Sequence, residues 1–190
     1  MKKKIFVCAF IAICLSIVAY STTAYFTYSE IATNVITMGN IRIDLQELAV
    51  PKGGGDPVPF RDVLDVLPGT EVSKIVQVKN IGVQPAWIRI SLAKGLSLAE
   101  GIEGEADTSL FTFDINAEYW LERDGYYYYK DVLSPGQTTE PLFTEVSFSS
   151  YMGNMYQQSK ATVYVNAQAT QVVHNGSTVF EAAGWPKAEW

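Results

Sequence analysis

From residue 36 onward the apolar residues of this chain recur mostly at every second position. Ile41, Ile43 and Leu45 alternate with Asn40, Arg42 and Asp44, the pattern of a strand with one buried face. Just upstream, Ile36 and Met38 have the opposite parity. The change falls at Gly39-Asn40, which predicts a bulge or turn between two extended pieces. Val72 to Asn80 reads as a strand, "NIG" (80–82) as a turn, and "AWIRISL" (86–92) as the partner strand. In that partner, Ile88, Ile90 and Leu92 form the better core face, with Trp87, Arg89 and Ser91 on the other. "LFTFDI" (110–115), "PLFTEVSF" (141–148) and "KATVYVNAQATQVV" (160–173) read as further strands. Asp124-Gly125, inside "YWLERDGYYYYK", predicts a hairpin with a two-residue type I′ turn. "LPGT" (67–70) and "LSPGQTT" (133–139) are Pro-Gly turns, and "PKGGGDPVP" (51–59) is a loop by composition. The Gly- and Glu-rich residues 94–109 fit either a short helix or a loop. Roughly eight strands with short turns predict an all-β fold: a single antiparallel β-sandwich of jelly-roll type over residues 39–190.

Residues 1–24 follow a different pattern. Lys2, Lys3 and Lys4 precede an uncharged, mostly apolar run from Ile5 to Tyr20, and small residues follow at 21–24. That order describes a secretory signal peptide. Thr22 and Ala24 occupy the −3 and −1 positions of a cleavage site, which makes Tyr25 the first mature residue. A second reading stays open: Ile5 to about Tyr25, roughly 20 residues, is just long enough to span a bilayer as a retained anchor. In both readings the basic end stays inside and the domain goes outside. Contact with the membrane is transient if the signal is removed.

Export changes the charge. The chain has 14 Lys+Arg and 20 Asp+Glu. Without Lys2, Lys3 and Lys4, eleven basic residues against twenty acidic ones leave a formal charge of −9. An acidic domain with no basic stripe excludes nucleic acid as a partner. Cys8 and Cys14 both lie in the apolar run, so the mature chain has no disulfide, thiol nucleophile or cysteine metal site.

No catalytic constellation is visible. His174 is the only histidine, so the two-histidine zinc motif of metalloproteases is missing, and a surface histidine is expected. "AEGIEGEAD" (99–107) reads as a solvated acidic loop rather than a calcium loop. "YYYY" (126–129) should divide between core and solvent, because a strand alternates. No cofactor, metal or catalytic residue is expected, and the reading favours a structural or binding role over an enzyme.

Several stretches resemble one family. The join "TTAYF" (22–26), followed by "ATNVITMGNIRIDL" (32–45), is similar to the export signal and mature start of the TasA/camelysin family of SipW-dependent exported proteins of Gram-positive bacteria. "VLPGTEVSKIVQVKNIGVQPAWIRISL" (66–92) resembles that family's turn, strand, turn and strand. "NMYQQSKATVYVNAQATQ" (154–171) resembles its last long strand. The resemblance implies a jelly-roll domain, processing by a SipW-type signal peptidase, and extracellular fibres of the biofilm matrix. Such fibres form by N-terminal strand donation, head-to-tail with further copies or with a related subunit. The metallopeptidase activity assigned to camelysin is not carried over, because no zinc motif is present.

The two lines meet at residues 25–38. Freed by cleavage, this extended arm carries Phe26, Ile31, Val35, Ile36 and Met38. A lone apolar strand is poorly stable in water and gains from adding to an open sheet edge. Residues 25–38 are therefore the expected donor strand, with Gly39 and Asn40 as the hinge. The rival expectation is that the arm folds back on its own domain as an edge strand, in a monomeric or membrane-anchored surface module.

Overall fold

A computed structural model describes residues 26–34 and 41–186, and it is a two-sheet β-sandwich. In chain order the strands are β1 (Phe26–Asn34), β2 (Ile43–Ala49), β3 (Val58–Pro59), β4 (Val63–Val66), β5 (Glu71–Asn80) and β6 (Ala86–Ser97). They continue with β7 (Phe111–Phe113), β8 (Trp120–Arg123), β9 (Tyr126–Tyr129), β10 (Phe143–Phe148) and β11 (Lys160–Gln171). One sheet has the order β4-β1-β11-β6-β9-β8, and the other β3-β2-β5-β10-β7. The named pairings are antiparallel except for β1 with β11, which is parallel.

The alternation read along the chain becomes burial. On β5, Val72, Lys74, Val76, Val78 and Asn80 are buried while the residues between them are half-exposed. Ile41, Ile43 and Leu45 face the same interior. From the other sheet come Ile88 and Ile90 of β6 and Ala161, Val163, Val165, Ala167 and Ala169 of β11. Aromatic rings fill one side of the core. Phe111 stacks on Phe148 with centroids 5.8 Å apart, and Phe113 lies 4.7 Å from Phe143. Trp120 is fully buried because its indole N–H reaches the Glu140 carbonyl at 3.0 Å, so no polar atom is stranded.

The turns have the chemistry that the sequence predicts. Asp124 and Gly125 have φ of 54° and 78°, so both central residues of the β8–β9 hairpin are left-handed, as a type I′ turn requires. In "NIG", buried Asn80 accepts from the Gly82 N–H and donates to the carbonyls of Gln84 and Leu133, all at 2.9 Å. The region left open between helix and loop resolves in another way. β6 continues to Ser97, a loop follows, and one turn of 3-10 helix at Thr108–Leu110 is capped by Asp107.

Apart from exposed Tyr164 and its two ends, β11 is buried on both faces, which period-two alternation does not predict. Its outward row of Thr162, Asn166, Gln168 and Thr170 is covered, as are Trp87, Arg89 and Ser91 opposite it on β6. Over the Trp87–Arg89 end of this face lies a C-terminal strap, residues 172–186. It carries its own small core of Trp87, Tyr128 and Val179, packed by Tyr126, Val172, Phe180, Ala182 and Trp185.

Candidate strand-exchange interface

β1 holds the described part of the expected donor arm, including Phe26 and Ile31. It is an inner strand of its own domain rather than an edge strand. On one side it pairs in parallel with β11 over eight positions, from Thr27 opposite Lys160 to Asn34 opposite Ala167. Ile31 lies in register with Tyr164. On the other side β4 meets only the beginning of the strand, at Phe26–Val66 and Tyr28–Val63, with an irregularity between them. The two contacts are therefore unequal: a long ladder on β11 and a short, broken one on β4. Parallel ladders are also slightly weaker per residue than antiparallel ones. Val35, Ile36, Met38 and the hinge pair Gly39 and Asn40 lie outside the described residues, as do Thr22, Ala24 and Tyr25 of the cleavage site.

A second constellation sits on the outer face of the same sheet. The Arg89 guanidinium is layered between the Tyr126 ring, 3.8 Å from its centroid, and the Trp185 ring, at 4.5 Å. Its Nε donates to Gln168 at 2.8 Å, Nη1 to the Tyr128 hydroxyl at 3.3 Å, and Nη2 to the Pro186 carbonyl at 3.4 Å. Arg suits this place because a flat cation can stack on rings while its edge donates. The strap is tied down again by Asn175. Its side chain donates to the Gln171 and Ala183 carbonyls and accepts from the Ala183 N–H. So the outward tyrosines of "YYYY" do not face solvent as expected. Tyr128 is buried and Tyr126 half-buried beneath Arg89 and the strap.

The third group is inside. Lys74 is fully buried, with Nζ 3.0 Å from Glu47 Oε1 and 4.2 Å from the centroid of the Phe60 ring. The two form a buried ion pair, with Glu47 largely covered as well. Nearer the other edge, Lys94 donates to the Phe111 carbonyl and lies about 5 Å from the Phe111 and Phe113 rings. Burial lowers its pKa, against a smaller raising effect from Asp107. The Lys74–Glu47 pair could have been found from pattern. Lys74 interrupts the apolar row of β5, and Glu47 continues the row of Ile41, Ile43 and Leu45.

These groups do not converge on a reaction centre. His174 is exposed, at φ 57°, in a turn beyond β11. Among the described residues no group of three or more His, Cys, Asp or Glu side chains could hold a metal ion. Among them, too, no helix is long and apolar enough to cross a membrane. No protein-family model matches the sequence, and comparison with curated proteins and with solved structures finds no match.

Proposed function

We propose that this chain is an exported structural protein of the cell surface or biofilm matrix, which assembles into fibres by passing β1 to a neighbouring copy or a related subunit. The observation that carries this reading is the place of β1. It is the first described strand of the chain, separated from β2 by residues 35–42, and it enters the sheet between β11 and β4. An element of this kind can leave and be replaced by the same element of another molecule at little net cost, because every lost contact is remade. Backbone pairing supplies the affinity, and register supplies the selectivity. The family resemblance of the signal, the arm and the long strands supports the same reading, with a SipW-type peptidase releasing the arm at Tyr25.

The test compares residues 25–190 with residues 39–190, each incubated at high concentration and viewed by electron microscopy. Filaments from the longer chain alone are expected. Adding a peptide of residues 25–38 to the shorter chain should yield a capped monomer with restored sheet signal and no filaments. Monomers from both chains would overturn self-assembly.

A further inference from the structure

Both sheets run between the same two ends of the sandwich. β5 finishes at Asn80 and β6 begins at Ala86, so the turn between them marks one end, the Asn80 end. β11 finishes there too, with Gln171 opposite Ala86. The loop after β9 reaches the same end, since Leu133 bridges to Ala86. β1 runs toward it in parallel with β11, and its last residue, Asn34, lies opposite Ala167. β2 sets out from it: Ile43 pairs with Asn80, and the Arg42 carbonyl accepts from the Ile81 N–H. The chain therefore leaves β1 and enters β2 at one and the same end. Four exposed apolar side chains belong to the segments at this end: Ile81 and Val83 in the β5–β6 turn, Val132 beside Leu133, and Val173 just beyond β11. Val83 is the most exposed of them, at 68%.

Covalent reach limits where an exchanged copy can sit. Asn34 and Ile41 are seven positions apart, which spans at most about 25 Å of extended chain. In the register of the closed chain, an exchanged β1 stops at Ala167, four residues or about 13 Å short of Gln171. The donor's Ile41, and with it the donor's own Asn80 end, then lies within about 12 Å of the acceptor's Asn80 end. An in-line head-to-tail order would need the link to run along the donor's length as well, about 50 Å in all, because β11 alone spans roughly 36 Å. From this we infer that exchange of β1 joins two copies by their Asn80 ends, with each seated on the other's Ile81, Val83, Val132 and Val173. The inference rests on the proposed function for the exchange itself. The contact is isologous: both copies present the same apolar patch and each arm enters the other, so the pair closes on a two-fold axis. It also takes from water the apolar side chains that the single chain leaves exposed. A fibre built in this way repeats by two-chain units, joined to one another through a second contact.

The experiment uses residues 25–190, which keep every described strand and contain no cysteine, since Cys8 and Cys14 precede them. Val83→Cys and Tyr151→Cys chains are incubated at high concentration, separately and mixed, and treated with a short bismaleimide. Tyr151 is 88% exposed and follows β10, whose Ser147 pairs with Glu71 at the opposite end. Val83→Cys chains are expected to join to one another. Joining only between Val83→Cys and Tyr151→Cys chains would establish the in-line order and overturn the inference, as would no joining through position 83. Val83→Asp sets two like charges in the contact and should weaken association about tenfold or more, with the Tm of the dilute chain unchanged. Unchanged association would also overturn the inference. Exchange is read separately. Thr27 and Lys160 are register partners, so a chain with both Thr27→Cys and Lys160→Cys forms its disulfide internally when β1 is at home and between chains when β1 is exchanged. Val83→Cys joining with internal disulfides would keep the end-to-end contact and remove the exchange reading. Disulfides between chains without Val83→Cys joining would do the reverse.

Discussion

Lys74 is among the residues with the most at stake in their surroundings. The buried ammonium has Glu47 3.0 Å away and the Phe60 ring beside it to offset the cost of leaving water. Lys74→Ala removes the cation from a carboxylate that remains largely buried, and should destabilise the domain by about 3–5 kcal/mol. The double variant Lys74→Met with Glu47→Leu should recover most of that loss, as measured by urea unfolding. Equal losses in the single and double variants would mean that the pair contributes through packing alone. Glu145 offers a pH test. Burial first, and then the neighbouring Glu71 and Asp114 carboxylates, raise its pKa above the ordinary value. A carboxyl group raised in this way binds its proton more tightly in the folded state. Its contribution is favourable below the ordinary carboxylate range and is lost as pH rises through the raised value. Glu145→Gln should therefore raise Tm at pH 7, and the advantage should shrink toward about pH 4. A Tm difference independent of pH would contradict this.

Among the elements, the strap is one that can be removed without touching the central core. The strap's side chains form their own cluster, apart from the one between the sheets. Its turn depends on Gly176, at φ +81°, where a Cβ would come within 2.8 Å of Glu181 Cβ and 2.9 Å of its carbonyl carbon. Gly176→Ala should cost the strap about 1–3 kcal/mol. Residues 172–186 should then become sensitive to chymotrypsin at Phe180 and Trp185, while the main unfolding transition stays nearly unchanged. Arg89→Ala should loosen the same segment by removing the cation from between Tyr126 and Trp185. Loss of the main transition in either variant would show that the strap is part of the cooperative core. The strap was hidden from pattern reasoning for a physical reason. Period-two alternation finds strands with one wet face, and it assigned Trp87, Arg89 and Ser91 to that face. A coil packed by aromatic rings has no period to detect. Asp124-Gly125 and the rows Ile88, Ile90 and Val76, Val78 were legible because local backbone needs and the strand repeat agree there.

For the whole molecule, sandwich architecture follows from many short alternating strands, but strand order does not. Nothing local places Thr27 beside Lys160 in their parallel contact, because the two lie at opposite ends of the described chain. The same contact makes β1 a contributor to stability that a peptide can replace. Deleting residues 1–38 leaves one edge of β11 unpaired and should lower Tm by roughly 5–10 °C, recovered by adding the 25–38 peptide at high concentration. No Tm change on deletion would mean that β1 is docked too weakly to compete with a neighbour's arm.

The parallel pairing of β1 with β11 also sets a clock. The first strand closes against the last, and Lys160 lies 133 positions beyond Thr27. At about 5–20 residues per second, synthesis alone separates the two by on the order of ten seconds. Throughout that interval the arm exists and its principal partner does not. On the proposed function, a processing enzyme would have its opportunity then, before the chain is complete, and a change in translation rate near the C-terminus would alter how long that opportunity lasts.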